Sequence, residues 1–273
     1  SRHTLEGSAQ TTTDTPPANH VIDRDKIIDL SSRCDAHGNL RWDVPAGDWT
    51  IVRLGHTSTG ITNHPVMKET QALECDKMNP IAVRTQFNGM LAKVIADNKP
   101  LIGNTLKYVL MDSWEAGCEN WTPKFREEFQ KRRGYDPTPY LLAMTGRYVQ
   151  SAQTTERFLW DVRRTIADLV AQNHYGLMRE LAHENNMQLT AEAPGIGMPT
   201  IADELQCKGN TDLPMGEFWV GRPTDNADPK EAASAAHIFG TNIAGTESFT
   251  ATPDQASWKN DPFSLKQQGD EEY

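Results

Sequence analysis

The chain carries no lysine- or arginine-rich block, no long apolar run and no closely spaced cysteines, and each absence closes off a class of function. Its 27 basic residues face 37 acidic ones, a formal net charge of −10. Neither a nucleic-acid backbone nor an anionic membrane surface suits that balance. No stretch approaches the ~18 apolar residues of a spanning helix, and the opening SRHTLEGSAQ is not a signal peptide. Cys34, Cys75, Cys118 and Cys207 lie far apart, form no zinc-type pair and read as isolated thiols. No GxGxxG or phosphate loop follows an apolar run, and the glycines of PGIGMP (Pro194 to Pro199) sit among prolines. Gly-x-Ser-x-Gly is absent as well, which removes the serine-hydrolase elbow.

What the sequence offers is alternation of short apolar runs with helical patterns. Residues 1–20 are rich in Ser, Thr and Pro and read as a linker. The chain starts at Ser1 rather than Met, as a processed product or an excised piece does. Residues 21–48 read as a β segment, with turns at His37-Gly38-Asn39 and Pro45-Ala46-Gly47-Asp48 and alternating Leu40, Trp42 and Val44 between them. Residues 49–273 read as the main domain. Its first expected strand is Trp49 to Leu54. Asn79-Pro80 signals a helix start, with Val83, Phe87, Met90, Leu91, Val94 and Ile95 as its apolar face. A second helix opens at Thr122-Pro123 and closes at Gly134, and a long helical segment runs from about residue 155 to 184. Asp228 to Glu231 reads as a capping box for a helix that ends at Gly240.

The stretch around which this pattern is organised is YVLMDSWEAG, Tyr108 to Gly117. An apolar run ends there in Asp112, Ser113, Trp114 and Glu115. A buried parallel strand delivering carboxylates at its carboxyl end gives this layout, and so does an Asp-x-x-Glu capping box. LTAEAPG, LPMGEFW and IAGTESFT also place a glutamate (Glu192, Glu217, Glu247) where an apolar run ends, and a capping box does not account for the recurrence. Such strand ends share one face in a barrel, whereas a doubly wound sheet usually has a glycine-rich phosphate loop that is missing here. The expected fold is therefore α/β, a TIM-type (β/α)8 barrel that is incomplete, with about five strand–helix units. Several carboxylates at one end suit chemistry in which one acid donates a proton while another, ionised, activates water or attacks, as in glycoside hydrolysis. Trp114, Trp121, Trp219 and Trp258 lie in or just beyond these loops, as core or as platforms for sugar rings. His56 and His64 read as loop hydrogen-bonders.

Ordered blocks along the chain carry a resemblance. RLGHTSTG, LECDK, DSWEAG, MGEFW, AAHIFG and ESFT, with the segments between them, resemble the catalytic barrel of glycoside hydrolase family 106, the α-L-rhamnosidases. The resemblance implies inverting hydrolysis of terminal α-L-rhamnose on plant glycans such as pectin, with calcium bound. It also implies a bacterial parent acting in the periplasm or outside the cell, on an oligosaccharide or polysaccharide. By the same resemblance Glu115 is the general acid, Glu247 the general base, and Glu217 holds substrate or calcium. Substrate contacts are expected from His56, Asp112, Trp114, Trp121, Glu192 and Trp219, and calcium ligands from Asp112, Glu192 and Glu217. Family members carry flanking β-domains and further barrel strands, and both are missing or truncated here. Two alternatives stay open: a carbohydrate-binding barrel fragment without turnover, and a retaining glycosidase with carboxyl groups about 5–5.5 Å apart rather than the roughly 6.5–9.5 Å of an inverting one.

Overall fold

A computed structural model describes residues 16–64, 66–194, 202–221 and 227–273. In chain order the elements are β1 (Val21–Ile22), α1 (Pro80–Gly89), α2 (Leu91–Asp97), β2 (Tyr108–Met111), α3 (Phe125–Arg133), β3 (Tyr148–Val149) and α4 (Ala152–Val170). They continue with α5 (Leu177–Glu184), β4 (Gln188–Ala191), α6 (Glu204–Gly209), β5 (Leu213–Trp219), α7 (Ala227–Phe239), β6 (Gly245–Thr250) and α8 (Pro262–Glu272). A π turn, Ala171–Gly176, joins α4 to α5. The described residues divide into two compact units, one within Thr59–Asn120 and Ile166–Tyr273, the other of residues 16–58 and Trp121–Thr165. No helix among the described residues is long and apolar enough to cross a membrane.

The first unit is built on a parallel sheet in the order β2-β4-β5-β6, curled as a half-barrel. Val109 of β2 and Leu189 of β4 are register partners and share one face. That face packs on Val83, Phe87, Ile95, Leu177, Met178 and Leu181, so α1, α2 and α5 cover it. Burying side chains of this size contributes about 1.5–3 kcal/mol each. Asn79 starts α1 as expected, its side chain accepting from the Ile81 backbone N–H at 3.0 Å. The apolar face expected to run on to Ile95 is broken at Met90 (φ −129°, ψ −69°), where a new helix begins. The break shifts the phase, so Met90 and Val94 turn outward, 60% and 46% exposed, while Ile95 stays in the core. At the other end of the sheet Asp212 accepts from Leu189 N–H, Arg179 Nε and His183 Nε2, tying β4 to α5.

The sheet holds four strands rather than five. Trp49 to Leu54 forms no strand, and Ile51 and Leu54 are 61% and 46% exposed. A strand exists through its ladder, and among the described residues this run has no ladder partner. The face of β2 turned away from the helices is open as well: Tyr108 and Leu110 are 41% and 60% exposed, so the run is half-buried.

The second unit has an aromatic core. Phe129 packs on Tyr135 and Phe158 with ring centres 5.0 and 5.7 Å apart, and the Tyr135 hydroxyl donates to Asp161 at 2.8 Å. Gly134 closes α3 in the left-handed conformation, φ +84°. The short parallel pair of β1 with β3 lies here. So do the two expected turns, at Gly38 (φ +84°) and Gly47 (φ +132°), and the Cys34–Leu40 bridge that the first of them closes.

Candidate active site

Four carboxylates meet on the inner face of the half-barrel because the register puts them there. Met111 pairs with Ala191, so Asp112 and Glu192 follow in step at the ends of β2 and β4. Glu217 and Glu247 are direct partners on β5 and β6. Side chains alternate along a strand, and register partners in a parallel sheet share a face. One oxygen each of Asp112, Glu192 and Glu247 lies within 4.8 Å of the others, a group that can hold a metal ion. Of the calcium ligands that the resemblance implies, Asp112 and Glu192 belong to this group, and Glu247 is its third member. Glu192 is 3% exposed. Burial, a hydrogen bond with Glu247 and the negative charges of Asp112, Glu247 and Glu217 push its carboxyl up to about 9, so at neutral pH it keeps its proton. Burial, then Glu247, Asp228 and Asp112, also raise Glu217 above the usual carboxylate range.

Two local devices fix this pair of strand ends. The first is a close approach of α7 to β5. A Cβ on Gly216 would meet the Asp228 carbonyl at 2.7 Å, and the gap lets Asp228 Oδ2 accept from the Glu217 N–H at 2.8 Å. Asp228 is therefore not the first residue of a capping box. Its other oxygen accepts from Lys208 Nζ at 2.5 Å, and that lysine is itself 1% exposed, with Glu231 at 3.3 Å on its other side. The second device is a bulge. Phe218 pairs with Ser248 but Trp219 pairs with Thr250, so Phe249 is extra and sits at φ +62°, a conformation unusual for a bulky residue. The bulge returns Thr250 to the inner face, where its hydroxyl donates to Glu247 Oε1 at 2.5 Å.

Glu115 stands on the loop after β2, in a stretch that forms no helix, so the capping-box reading of Asp112 to Glu115 does not apply. Its Oε2 pairs with His64 Nε2 at 2.7 Å, and its Oε1 accepts from Ser113 Oγ at 3.2 Å. The Thr62 carbonyl and then Glu115 hold the His64 imidazole above its ordinary range. A cavity of about 110 Å³ opens here, walled by His64, Lys77, Asp112, Trp114, Glu115 and His174 among others. Asp112 thus belongs both to this cavity and to the acidic group. Trp114 is 2% exposed, donates to the Gly117 carbonyl at 2.8 Å, and has Lys77 Nζ 5.2 Å from its ring centre. The backbone of Trp219 accepts from Gln268 at 2.7 Å. Trp121 and His56 belong to the other unit: Trp121 packs on Phe125 at 4.6 Å, and His56 is exposed. Reading the sequence alone left out Thr250, Lys208 and His174 and took His64 as a loop residue; only the last has a signal, the His-Pro pair in a polar loop.

Clustered carboxylates at the carboxyl ends of a curled parallel sheet, one of them held protonated, beside a separate glutamate in a cavity, define a barrel-type glycoside hydrolase domain. The family can be given more closely. The model of glycoside hydrolase family 106, described as alpha-L-rhamnosidase, matches residues 3–273, and the chain belongs to that family. It superposes on the structure of a rhamnosidase from Novosphingobium sp. PP1Y with a TM-score of 0.80 and 36% identity, over 92% of this chain and 25% of that one. It is also 41% identical over 254 residues to a Formosa agariphila protein named "Putative beta-glucuronidase", across 93% of this chain and 21% of the relative. The chain thus spans about a fifth to a quarter of the length of these relatives.

Proposed function

We propose that this chain carries the catalytic face of an inverting glycosidase that releases terminal α-L-rhamnose from plant-type oligosaccharides or polysaccharides, in the periplasm or outside the cell. The observation that carries the reading is that Asp112 joins the Glu115–His64 cavity to the acidic group of Glu192, Glu217 and Glu247. Glu115 is the general acid: it and His64 hold a proton between them that a leaving oxygen in the cavity takes. Glu247 is the general base, its Oε1 held by the Thr250 hydroxyl. Glu217, its backbone fixed by Asp228, binds substrate from the adjacent strand.

The donor set fits calcium. Oxygens around a calcium ion at about 2.3–2.6 Å lie at most about 5 Å from one another. The oxygens of Asp112, Glu192 and Glu247 meet that limit at 4.8 Å. When bound, calcium would neutralise the crowded charge and orient sugar hydroxyls. A glucuronide would bring a carboxylate of its own into the cavity, where Lys77 is already engaged by Glu74 at 2.6 Å and Glu119 at 3.8 Å. A neutral deoxy sugar makes no demand on Lys77.

The test is a pair of substitutions in the full-length protein. Glu115→Gln should lower turnover of an unactivated rhamnoside by about 10²–10⁴-fold while sparing aryl rhamnosides with good leaving groups. Glu247→Gln should impair both kinds. Discrimination by Glu247→Gln and not by Glu115→Gln would exchange the two roles, and no rhamnoside turnover by the wild type would overturn the reading.

A further inference from the structure

We propose that His174 is a substrate-binding residue whose imidazole takes one hydroxyl of the sugar in the Glu115 cavity. The inference rests on the glycosidase reading above and adds a residue to it.

His174 sits in the π turn between α4 and α5, where the helix swells by one residue. Such turns recur at functional sites because they displace a side chain from the regular helical row. The turn is anchored from the side, Asn173 Nδ2 donating to the Met78 carbonyl at 2.7 Å. The displaced ring lies edge-on to Trp114 at 5.9 Å and to Tyr175 at 4.9 Å. It is 8% exposed, and its Nδ1 is buried with no hydrogen-bond partner. An unpartnered buried nitrogen is destabilising, and a leucine or phenylalanine would fill the same space without that cost. Yet the ring forms part of the cavity wall beside Asp112 and Glu115. With Nδ1 shut away, Nε2 is the edge of the ring left to meet a ligand.

The charge state suits a binder. Burial, then the nearby Lys77 ammonium, hold the imidazole down to about 3, so it stays neutral. A neutral ring moves no proton at working pH; it offers one N–H or one lone pair. In either tautomer Nε2 can make one hydrogen bond to a sugar hydroxyl, which both donates and accepts.

The experiment compares the full-length wild type with His174→Phe on an aryl α-L-rhamnoside and its 2-, 3- and 4-deoxy analogues. On the parent substrate kcat/KM should fall by about ten- to a hundredfold, whereas on one deoxy analogue the two proteins should agree within about threefold. His174→Gln, which keeps a donor, should recover part of the loss and stands in if the phenylalanine variant does not fold. An equal loss on all four substrates, or no loss on any, would overturn the assignment and leave the rhamnosidase reading intact. Turnover of an aryl β-D-glucuronide but of no rhamnoside would overturn that reading instead, and His174 would be judged by the same criterion on deoxy glucuronides. A wild type inactive on both sugars would count against both.

Discussion

Gly216→Ala tests whether the approach of α7 to β5 holds the site together. The added methyl would lie 2.7 Å from the Asp228 carbonyl carbon and oxygen and 2.7 Å from Pro229 N. Carbon contacts are ordinarily about 3.5–4.0 Å, so the overlap is close to 1 Å with three backbone atoms, and no rotamer change relieves it. The first turn of α7 must move, and Asp228 moves with it. Overpacking of this kind costs about 1–3 kcal/mol. Withdrawing Asp228 from the Glu217 N–H and from buried Lys208 adds to that, since breaking a buried pair costs about 3–5 kcal/mol when complete. A partial shift should give a total loss of about 2–5 kcal/mol. Gly89→Ala is the control: it ends α1, no atom lies within 4 Å of its added methyl, and its φ is not positive. It should be neutral or stabilising by up to about 1 kcal/mol. Denaturant unfolding of the full-length protein, followed by tryptophan fluorescence, measures both, with rhamnoside turnover in parallel. A Gly216→Ala protein within about 0.5 kcal/mol of wild type and fully active would refute the reasoning.

The remaining predictions concern the acidic group. Because Glu192 keeps its proton up to about pH 9, a cation must displace it, so calcium affinity should rise up to about tenfold per pH unit between pH 6 and 8. Glu192→Gln should flatten that slope; calorimetric titration at pH 6, 7 and 8 reads it, and a wild-type Kd that is flat with pH would rule out the protonated glutamate. Thr250→Val removes the hydroxyl held against Glu247 Oε1 while keeping the β-branched shape, and turnover should fall by about tenfold with Tm little changed. Unchanged steady-state kinetics would remove Thr250 from the site.

How much of this was legible in the sequence depended on how local each cause was. The Asn79 cap, the left-handed Gly134 and the ends of β2 and β4 follow from a few neighbouring residues and fell where those residues put them, whereas β5 and β6 run on past Glu217 and Glu247 to Trp219 and Thr250. The run Trp49 to Leu54 has strand composition, but a strand is made by a partner elsewhere in the chain, and composition does not supply one. Asp228 has the spacing of a cap, yet its oxygens answer to Lys208 and Glu217 from other elements. Lysine is almost never fully buried without a partner, and only the packing of α6 on α7 shows Lys208 buried. The π turn at His174 and the bulge at Phe249 each insert one residue into a regular element, and periodicity cannot register a single insertion.

The parity of the sheet has a consequence for how the chain chooses its fold. Asp112, Glu192, Glu217 and Glu247 all fall on the inner face only while β2, β4, β5 and β6 keep their present alignment. A slip of one residue between β4 and β5 would turn a pair of carboxylates toward the helices, onto the side where Val109 and Leu189 are buried. Ionised groups buried there without partners would cost several kcal/mol, more than the ladder bonds regained in the shifted alignment. The acidic residues on the inner face therefore penalise a misregistered sheet, so the same side chains that gather at the candidate site also favour the present alignment.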